Sequence, residues 1–315
     1  IGIGAPIIVV SCRLLQGLAL GGEVGPATAL LIEAAPEGRR GFYSSWQIAS
    51  QGLAVAVGGC LGVGLSLALS PEQLASWGWR VPFVLSLALV PIAIYIRRSL
   101  PETHAHGQER SGAAIVGSVF REHRKILVLG VLATASTAVA SQVGNYMVTY
   151  AVQVLKLPPA VAQGSVLMGG LMTFAFALVG GALCDRFGRR VVNAVPRLAL
   201  LVLIVPFFMW VAGVPTTGTL LVVTAVLAAL TAMFGTAGLV QVPELLPIAV
   251  RSTGLSLVYA IGTSIFGGTT QFIVTWLLAV TKNPMAPAWY VVAMSAVSVW
   301  AMWMLPESRD VDVQR

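Results

Sequence analysis

Apolar residues run through this chain in blocks long enough to cross a lipid bilayer, and polar residues gather in the gaps between them. A helix needs about 20 mostly apolar residues to span the hydrocarbon. Such blocks fall at 5–32, 43–69, 81–97, 126–153, 161–183, 191–213, 217–242, 253–280 and 287–305. The pattern predicts nine membrane spans and an all-α, polytopic helical bundle. Residues 161–183 and 220–242 are rich in Gly and Ala, which let membrane helices approach closely.

The gaps set the orientation. With the loop after the first span in the cytoplasm, Arg39, Arg40, Arg97, Arg98, Arg110, Arg121, Arg124, Lys125, Arg186, Arg189, Arg190, Arg251, Arg309 and Arg315 fall inside. Only Arg80, Lys156 and Lys282 fall outside, as the positive-inside rule requires. The first block has no basic n-region and contains Arg13, so it does not read as a secretory leader. The chain begins at Ile1 with no initiator Met, and nine is an odd count. Together these predict further helices upstream. The loop over 98–125 holds Pro101 and all three histidines, His104, His106 and His123. It reads as a solvated linker between two bundles, with a short amphipathic surface helix over 113–127.

Composition narrows the function classes. The 315 residues are 57% hydrophobic and 10% charged, against about 25% charged in soluble domains. Mean hydropathy is +0.86. The net charge of +7 is dispersed in short clusters between apolar runs, which argues against nucleic acid as a partner. Cys12, Cys60 and Cys184 are too few and too widely spaced for a disulfide scaffold. No phosphate-binding G-x-x-x-x-G-K-[ST] loop, no H-E-x-x-H and no serine-nucleophile motif occurs. The expectation is therefore no enzyme, no cofactor and no bound metal. Few Lys against many Arg, with abundant Ala, points to a GC-rich bacterium and its inner membrane. The expected assembly is a monomer in the bilayer.

An internal repeat carries the architecture. Glu33-Ala-Ala-Pro36-Glu-Gly-Arg-Arg40 and Glu244-Leu-Leu-Pro247-Ile-Ala-Val-Arg251 share the spacing E-x-x-P-x-x-x-R, at the cytoplasmic ends of the first and seventh spans. Leu100-Pro101-Glu102-Thr103 closes the third span, and Leu305-Pro306-Glu307-Ser308 closes the ninth. Spans one to three thus correspond to spans seven to nine. Duplicated six-helix halves would place three more helices upstream, with a second copy of the loop Asp185-Arg186-Phe-Gly188-Arg189-Arg190. Residues 1–97 then form the second part of an amino-terminal bundle. Residues 98–125 form a cytoplasmic interdomain loop, 126–305 a complete carboxy-terminal bundle, and 306–315 a cytoplasmic tail. Transporters are commonly built this way, with substrate at the midplane between repeats.

The loop G-x-x-x-D-R-x-G-R-R at 181–190 resembles the signature loop of the major facilitator superfamily. Arg13-x-x-Gln16-Gly17, with Glu33 and Arg40 downstream, looks like that superfamily's fourth helix and following loop. Within it, Arg13-Leu-Leu-Gln-Gly-x-x-x-Gly-Gly-Glu23, Gly41-Phe-Tyr-Ser-Ser-Trp-Gln47 and Trp77-Gly-Trp-Arg80-Val-Pro-Phe resemble the metabolite:proton symporter family. Members of that family carry citrate, 2-oxoglutarate, shikimate, or proline and betaine. The resemblance covers about residues 1–308 and makes the nine spans helices 4–12 of twelve, the first three being absent. It implies proton-coupled symport of a small organic acid, citrate or a related carboxylate, by alternating access. A zwitterionic compatible solute such as proline or betaine is the alternative, as is a transport-inactive sensor of the same fold. In the family, charged residues at cytoplasmic helix ends form a latch. The positions here are Glu33, Arg40, Glu102, Asp185, Arg186, Gly188, Arg189, Arg190, Glu244, Arg251 and Glu307.

Ionisable groups inside a bilayer are costly and need a reason. Three fall inside spans: Arg13, Glu23 and Arg197. Arg197 is expected to snorkel to the inner headgroups. Arg13, Gln16 and Glu23 lie within ~80° of one another, with Arg13 and Glu23 ~15 Å apart along the axis, too far for an ion pair. Arg13 is the candidate cation for an anionic substrate or for tuning a proton carrier, and Glu23 is the candidate proton carrier. On the fourth span Gln142, Asn145, Tyr146 and Tyr150 form one polar stripe suited to a cavity wall. Gln16, Gln47 and Tyr259 complete the predicted substrate set, with Gln51, Gln241 and Thr263 as weaker candidates.

Overall fold

The computed structural model describes residues 4–99 and 112–308, with residue 2 before them. These residues are helical, and no strand occurs among them. Helix α1 is Gly4–Glu33, α2 Arg40–Ala68, α3 Pro71–Ser76, α4 Val81–Leu87, α5 Leu89–Ser99 and α6 Gly112–Glu122. Then follow α7 Arg124–Gln153, α8 Pro159–Phe187, α9 Arg189–Gly213, α10 Thr217–Glu244, α11 Ile248–Ile261, α12 Gly268–Thr281 and α13 Ala286–Met304. Among the described residues, nine helical stretches are long and apolar enough to span a bilayer.

Two spans are broken where the apolar pattern is continuous. The third starts as a 3₁₀ turn at Gly78–Arg80 and divides at Ala88 into α4 and α5. Pro91 lacks the N–H that would reach the Leu87 carbonyl, and the division falls there. The eighth span carries a π-helical segment, Gly262–Gly267, between α11 and α12. The surface helix expected over 113–127 ends at Glu122, and α7 begins directly after His123. Residues 100–111 lie outside the described residues, and with them Pro101, Glu102, His104 and His106.

The first two helices pack mainly on the carboxy-terminal part of the chain and less on each other. Helix α2 lies against α8 along Gly41, Ser45, Ala49, Gly52, Ala56 and Gly59, all buried. Those positions recur every three or four residues, so they form one stripe. The facing stripe on α8 includes Gly170, Ala177 and Gly181. Backbones nearly touch there: a Cβ at Gly41 would sit 2.6 Å from the Gly181 carbonyl oxygen, and one at Gly170 would sit 2.7 Å from the Gly52 carbonyl oxygen. Helix α1 lies against α11 and the π segment in the same manner, with Gly17, Gly21 and Gly25 meeting Ser264, Ala260 and Ser256. Bilayer lipid supplies no hydrophobic drive between helices, so close backbone packing of small residues replaces it. The larger apolar side chains gather inside the carboxy-terminal bundle, where Tyr150, Phe208 and Phe234 are fully buried.

Candidate functional site: a polar cavity and charged caps at the basic end

The two small-residue seams leave a cavity of ≈ 300 Å³ between α1 and α2 on one side and the later helices on the other. Its wall comes from α1, α2, α7, α8, α10, α11, the π segment and the first residue of α12. Of the expected substrate residues, Arg13, Gln16, Gln142, Asn145 and Tyr259 line it, as do Gln51 and Thr263. Arg13 donates to the Gln16 side-chain oxygen at 3.0 Å, and the Asn145 amide donates to Gln142 at 3.2 Å. Tyr259 on α11 and Gln51 on α2 both line the cavity. The Thr263 hydroxyl, on the π segment, donates to the Tyr259 carbonyl at 2.7 Å. No carboxylate lines the cavity among the described residues, and none pairs with Arg13. The wall is thus polar, rich in amides and hydroxyls, with one cation.

The other candidates fall elsewhere. Gln47 lies one turn nearer the basic end of α2, outside the lining. Tyr146 and Tyr150 face the interior of the carboxy-terminal bundle. The Tyr146 oxygen accepts from Thr275 at 3.4 Å, and Tyr150 donates to the Pro284 carbonyl at 3.1 Å with its ring edge-on to Phe208. Position along α7 decides this: Gln142 and Asn145 share a side with Thr134, Thr137 and Ser141, whereas Tyr150 is rotated ~80° from Gln142. Glu23 is exposed on α1, away from the glycine face and outside the cavity. Sequence reasoning passed over Thr134, Thr137, Ser141, Thr173 and Thr231, which line the wall. A threonine in an apolar helix reads as neutral because its hydroxyl can bond back to its own turn.

Arg197 departs furthest from expectation. It does not snorkel: it is fully buried among α7, α9, α10 and α13. Its guanidinium donates to the Ala133 carbonyl, to Ser298 and to Asn193, and sits 4.3 Å from the Phe234 ring centre. The carbonyl and amide acceptors replace the headgroup that snorkelling would have supplied.

At the basic end, two carboxylates cap helices from a distance. Asp185 on α8 accepts from the backbone N–H groups of Gly41 and Phe42 at 2.7 and 2.9 Å, at the start of α2. Glu307 accepts from the backbone of Arg189 and Arg190, both at 2.9 Å, at the start of α9. Free N–H groups and the helix dipole make such ends favourable seats for an anion. Gly188 makes the α8–α9 turn with φ of 89°, in the region that favours glycine. Arg189 forms a two-pronged pair with Glu244 at 2.9 and 2.7 Å, with both side chains buried, and lies 3.6 Å from Asp185. Arg251 lies 3.8 Å from Glu33 and donates to the Pro243 carbonyl. The repeated E-x-x-P-x-x-x-R motifs therefore do not pair internally, since Glu33 faces Arg251 and Glu244 faces Arg189. Arg186 stacks toward Phe187, Arg190 donates to the Trp303 carbonyl, and Arg40 opens α2. Glu102 lies outside the described residues.

Nine apolar spans that meet on small-residue seams around a polar cavity, with charged caps at one end, have the build of a membrane transporter. The chain belongs to the major facilitator superfamily: the family model described as Major Facilitator Superfamily matches residues 2–269. It is 32% identical over 308 residues to the citrate-proton symporter of Salmonella typhi, covering 97% of this chain and 71% of that protein. It is 30% identical over 333 residues to an ectoine/proline transporter of Corynebacterium glutamicum, covering 98% of this chain and 65% of that one. A solved D-xylose-proton symporter shares the fold, with TM-score 0.69, 16% identity, and coverage of 90% of this chain and 68% of that one. The chain is a multi-pass protein of the bacterial inner membrane, and its family is one of transporters, not enzymes.

Proposed function

We propose that this chain serves proton-coupled symport of a small organic acid, citrate or a related carboxylate, by alternating access between its two halves. The observation that carries the proposal is Arg13, a cation on the cavity wall with no acid partner among the described residues. A charge so placed is stabilised by an anion entering the cavity, and a guanidinium matches a carboxylate through two parallel hydrogen bonds. Gln16, Gln142, Asn145, Tyr259 and the wall hydroxyls supply further donors for carboxylate and hydroxyl oxygens. Gln47, Tyr146 and Tyr150 act behind the wall, by holding α2 and α7 in place. Glu23, within α1 and away from its ends, carries the proton. The basic-end caps form the inner latch, which breaks and reforms as the halves rock. Residues 1–97 act as one side of that rocking pair and 126–305 as the other. Similarity to the citrate-proton symporter supports the same reading.

The test is external pH in lightly buffered cells producing the full-length protein, after adding citrate, 2-oxoglutarate, shikimate or betaine. Alkalinisation with an acid, lost in Arg13→Ala, is expected. No response to any of them, with the protein present in the membrane, refutes the proposal. A single cation in the wall suits one carboxylate, which favours a zwitterionic solute as the second reading. Alkalinisation with betaine alone would select it.

A further inference from the structure

Arg197 does not touch the cavity, yet one atom joins it to the cavity wall. The Ala133 carbonyl on α7 accepts from Arg197 at 3.1 Å, from Ser298 at 3.2 Å and from Thr137 at 3.4 Å. A carbonyl oxygen has two lone pairs, so three side-chain donors compete for it. Thr137 is a wall residue, and Thr134 beside Ala133 is another. A ligand that engages the Thr137 hydroxyl withdraws one competitor and changes how firmly Arg197 is held.

The opposite side of Arg197 leads to the latch. Its guanidinium donates to Asn193 at 3.0 Å, and the Asn193 amide reaches Gln241 at 3.5 Å. Gln241 donates to the Pro306 carbonyl at 2.9 Å, next to Glu307, which caps α9. Ser308 then donates to Glu244 at 2.7 Å, the partner of Arg189, and Arg189 lies 3.6 Å from Asp185, the cap on the start of α2. Arg197, Asn193, Gln241, Ser298 and Ser308 are all fully buried, so water does not compete for these bonds. Buried polar chains respond as units, because losing one member leaves the next unsatisfied.

We propose that Arg197 is a positioning residue that couples occupancy of the cavity to the latch, through the shared Ala133 carbonyl on one side and the Asn193–Gln241–Pro306 chain on the other. The inference rests on the basic end being a latch, and its test separates the two ideas. Cys184 is fully buried at that end, with its Cβ 3.0 Å from where a Cβ on Gly41 would lie. Opening the latch therefore exposes its thiol.

The experiment measures alkylation of Cys184 by N-ethylmaleimide in the full-length protein carrying Cys12→Ser and Cys60→Ser. Asp185→Asn, which weakens the cap on α2, is the latch control. Phe208→Ala creates a cavity elsewhere in the same bundle and controls for general destabilisation; all variants are compared equally far below their melting points. Arg197→Met is expected to react at least tenfold faster than the parent, with Gln241→Met showing the same rise and Phe208→Ala remaining within twofold. A rise in Asp185→Asn with none in Arg197→Met overturns the coupling and leaves the latch intact. No rise in either overturns the latch as well. Equal rises in Arg197→Met and Phe208→Ala reduce Arg197 to a packing residue and overturn the proposal.

Discussion

Gly52 on α2 and Gly58, six residues on, look alike in sequence and differ completely in surroundings. A Cβ added at Gly52 would lie 2.5 Å from the Phe174 backbone nitrogen and 2.9 Å from the Gly170 carbonyl oxygen, both on α8. At Gly58 the same atom meets nothing within 4 Å. Neither obstacle at Gly52 is a side chain that could rotate away, so the helices must separate by about 1 Å to restore van der Waals distance. Forcing a methyl group into a packed site costs about 1–3 kcal/mol. On the proposed mechanism α2 and α8 belong to opposite halves, so that cost falls on the closed seam and spares each half's own fold. Gly52→Ala is therefore expected to shift the equilibrium toward separated basic ends by about 5- to 150-fold. Gly58→Ala should leave it unchanged, and should raise thermal stability slightly through helix propensity. Spin labels at Glu37 and Phe187, both exposed at the basic end, report the separation by double electron–electron resonance. Gly52→Ala should populate a longer distance that Gly58→Ala lacks. Identical distance distributions in the two variants would show that the backbone contact does not hold the halves, and the reasoning fails.

Three further outcomes follow from the same geometry. Arg13→Gln should weaken citrate binding to the full-length protein by about 10- to 150-fold, the worth of hydrogen bonds to a charged group; calorimetric titration reads it, and unchanged affinity would remove Arg13 from the site. Tyr150→Phe should cost about 0.5–1.5 kcal/mol of stability through the lost bond to the Pro284 carbonyl, while uptake kinetics stay at the parent value; a specific rise in KM would return Tyr150 to the cavity. Gly188→Ala should cost about 1–3 kcal/mol from its positive-φ, extended-ψ backbone, a region nearly exclusive to glycine, plus the crowding of its Cβ 2.9 Å from a Glu307 oxygen. Thermal melts of the single and double variants should show a smaller penalty once Glu307→Ala has removed that oxygen.

The spans were legible because a bilayer permits so few solutions: every backbone polar group must be satisfied within its own helix, so long apolar blocks have one reading. What the pattern could not show is where a block breaks, and the π segment at Gly262–Gly267 lies inside an unbroken apolar run. That segment carries Thr263 and Gly267 to the cavity, so the least visible local feature helps shape the site. The stripe on α7 divides between two surroundings. Gln142 and Asn145 face the cavity, and the tyrosines satisfy their hydroxyls against groups whose position only the fold supplies. Arg197 was misread because no acid lies near it in sequence. Its partners include two backbone or amide oxygens, of which only Asn193, one turn away, was a visible signal. The charged residues of the basic end stood out by their spacing, but which of them pair across the two E-x-x-P-x-x-x-R motifs depends on how α1 and α2 dock on the rest of the chain.

The distribution of contacts argues for a closed state held by a narrow margin. Along the seams, backbone meets backbone over Gly, Ala and Ser, with few large side chains interdigitated across them. Such a surface gains dispersion energy only while the helices touch, and it offers few knobs that must be unthreaded before they part. The strongest polar contacts between α1–α2 and the rest of the chain are at one end, where Asp185 holds the start of α2 and Glu33 stands 3.8 Å from Arg251; a weaker one, from Thr263 to the Gly17 carbonyl at 3.4 Å, lies beside the cavity. The strongest pair there, Arg189 with Glu244, lies within the carboxy-terminal bundle and so survives separation. Charge-assisted bonds contribute about 1.5–3 kcal/mol each, and the two at Asp185 exchange for water when that end opens. The balance is thus a few kcal/mol, within reach of what a carboxylate gains by reaching Arg13. On the proposed mechanism a cavity ligand can move the equilibrium because the joint between α1–α2 and the rest of the chain rests on few polar contacts, the strongest of them at the end away from Arg13.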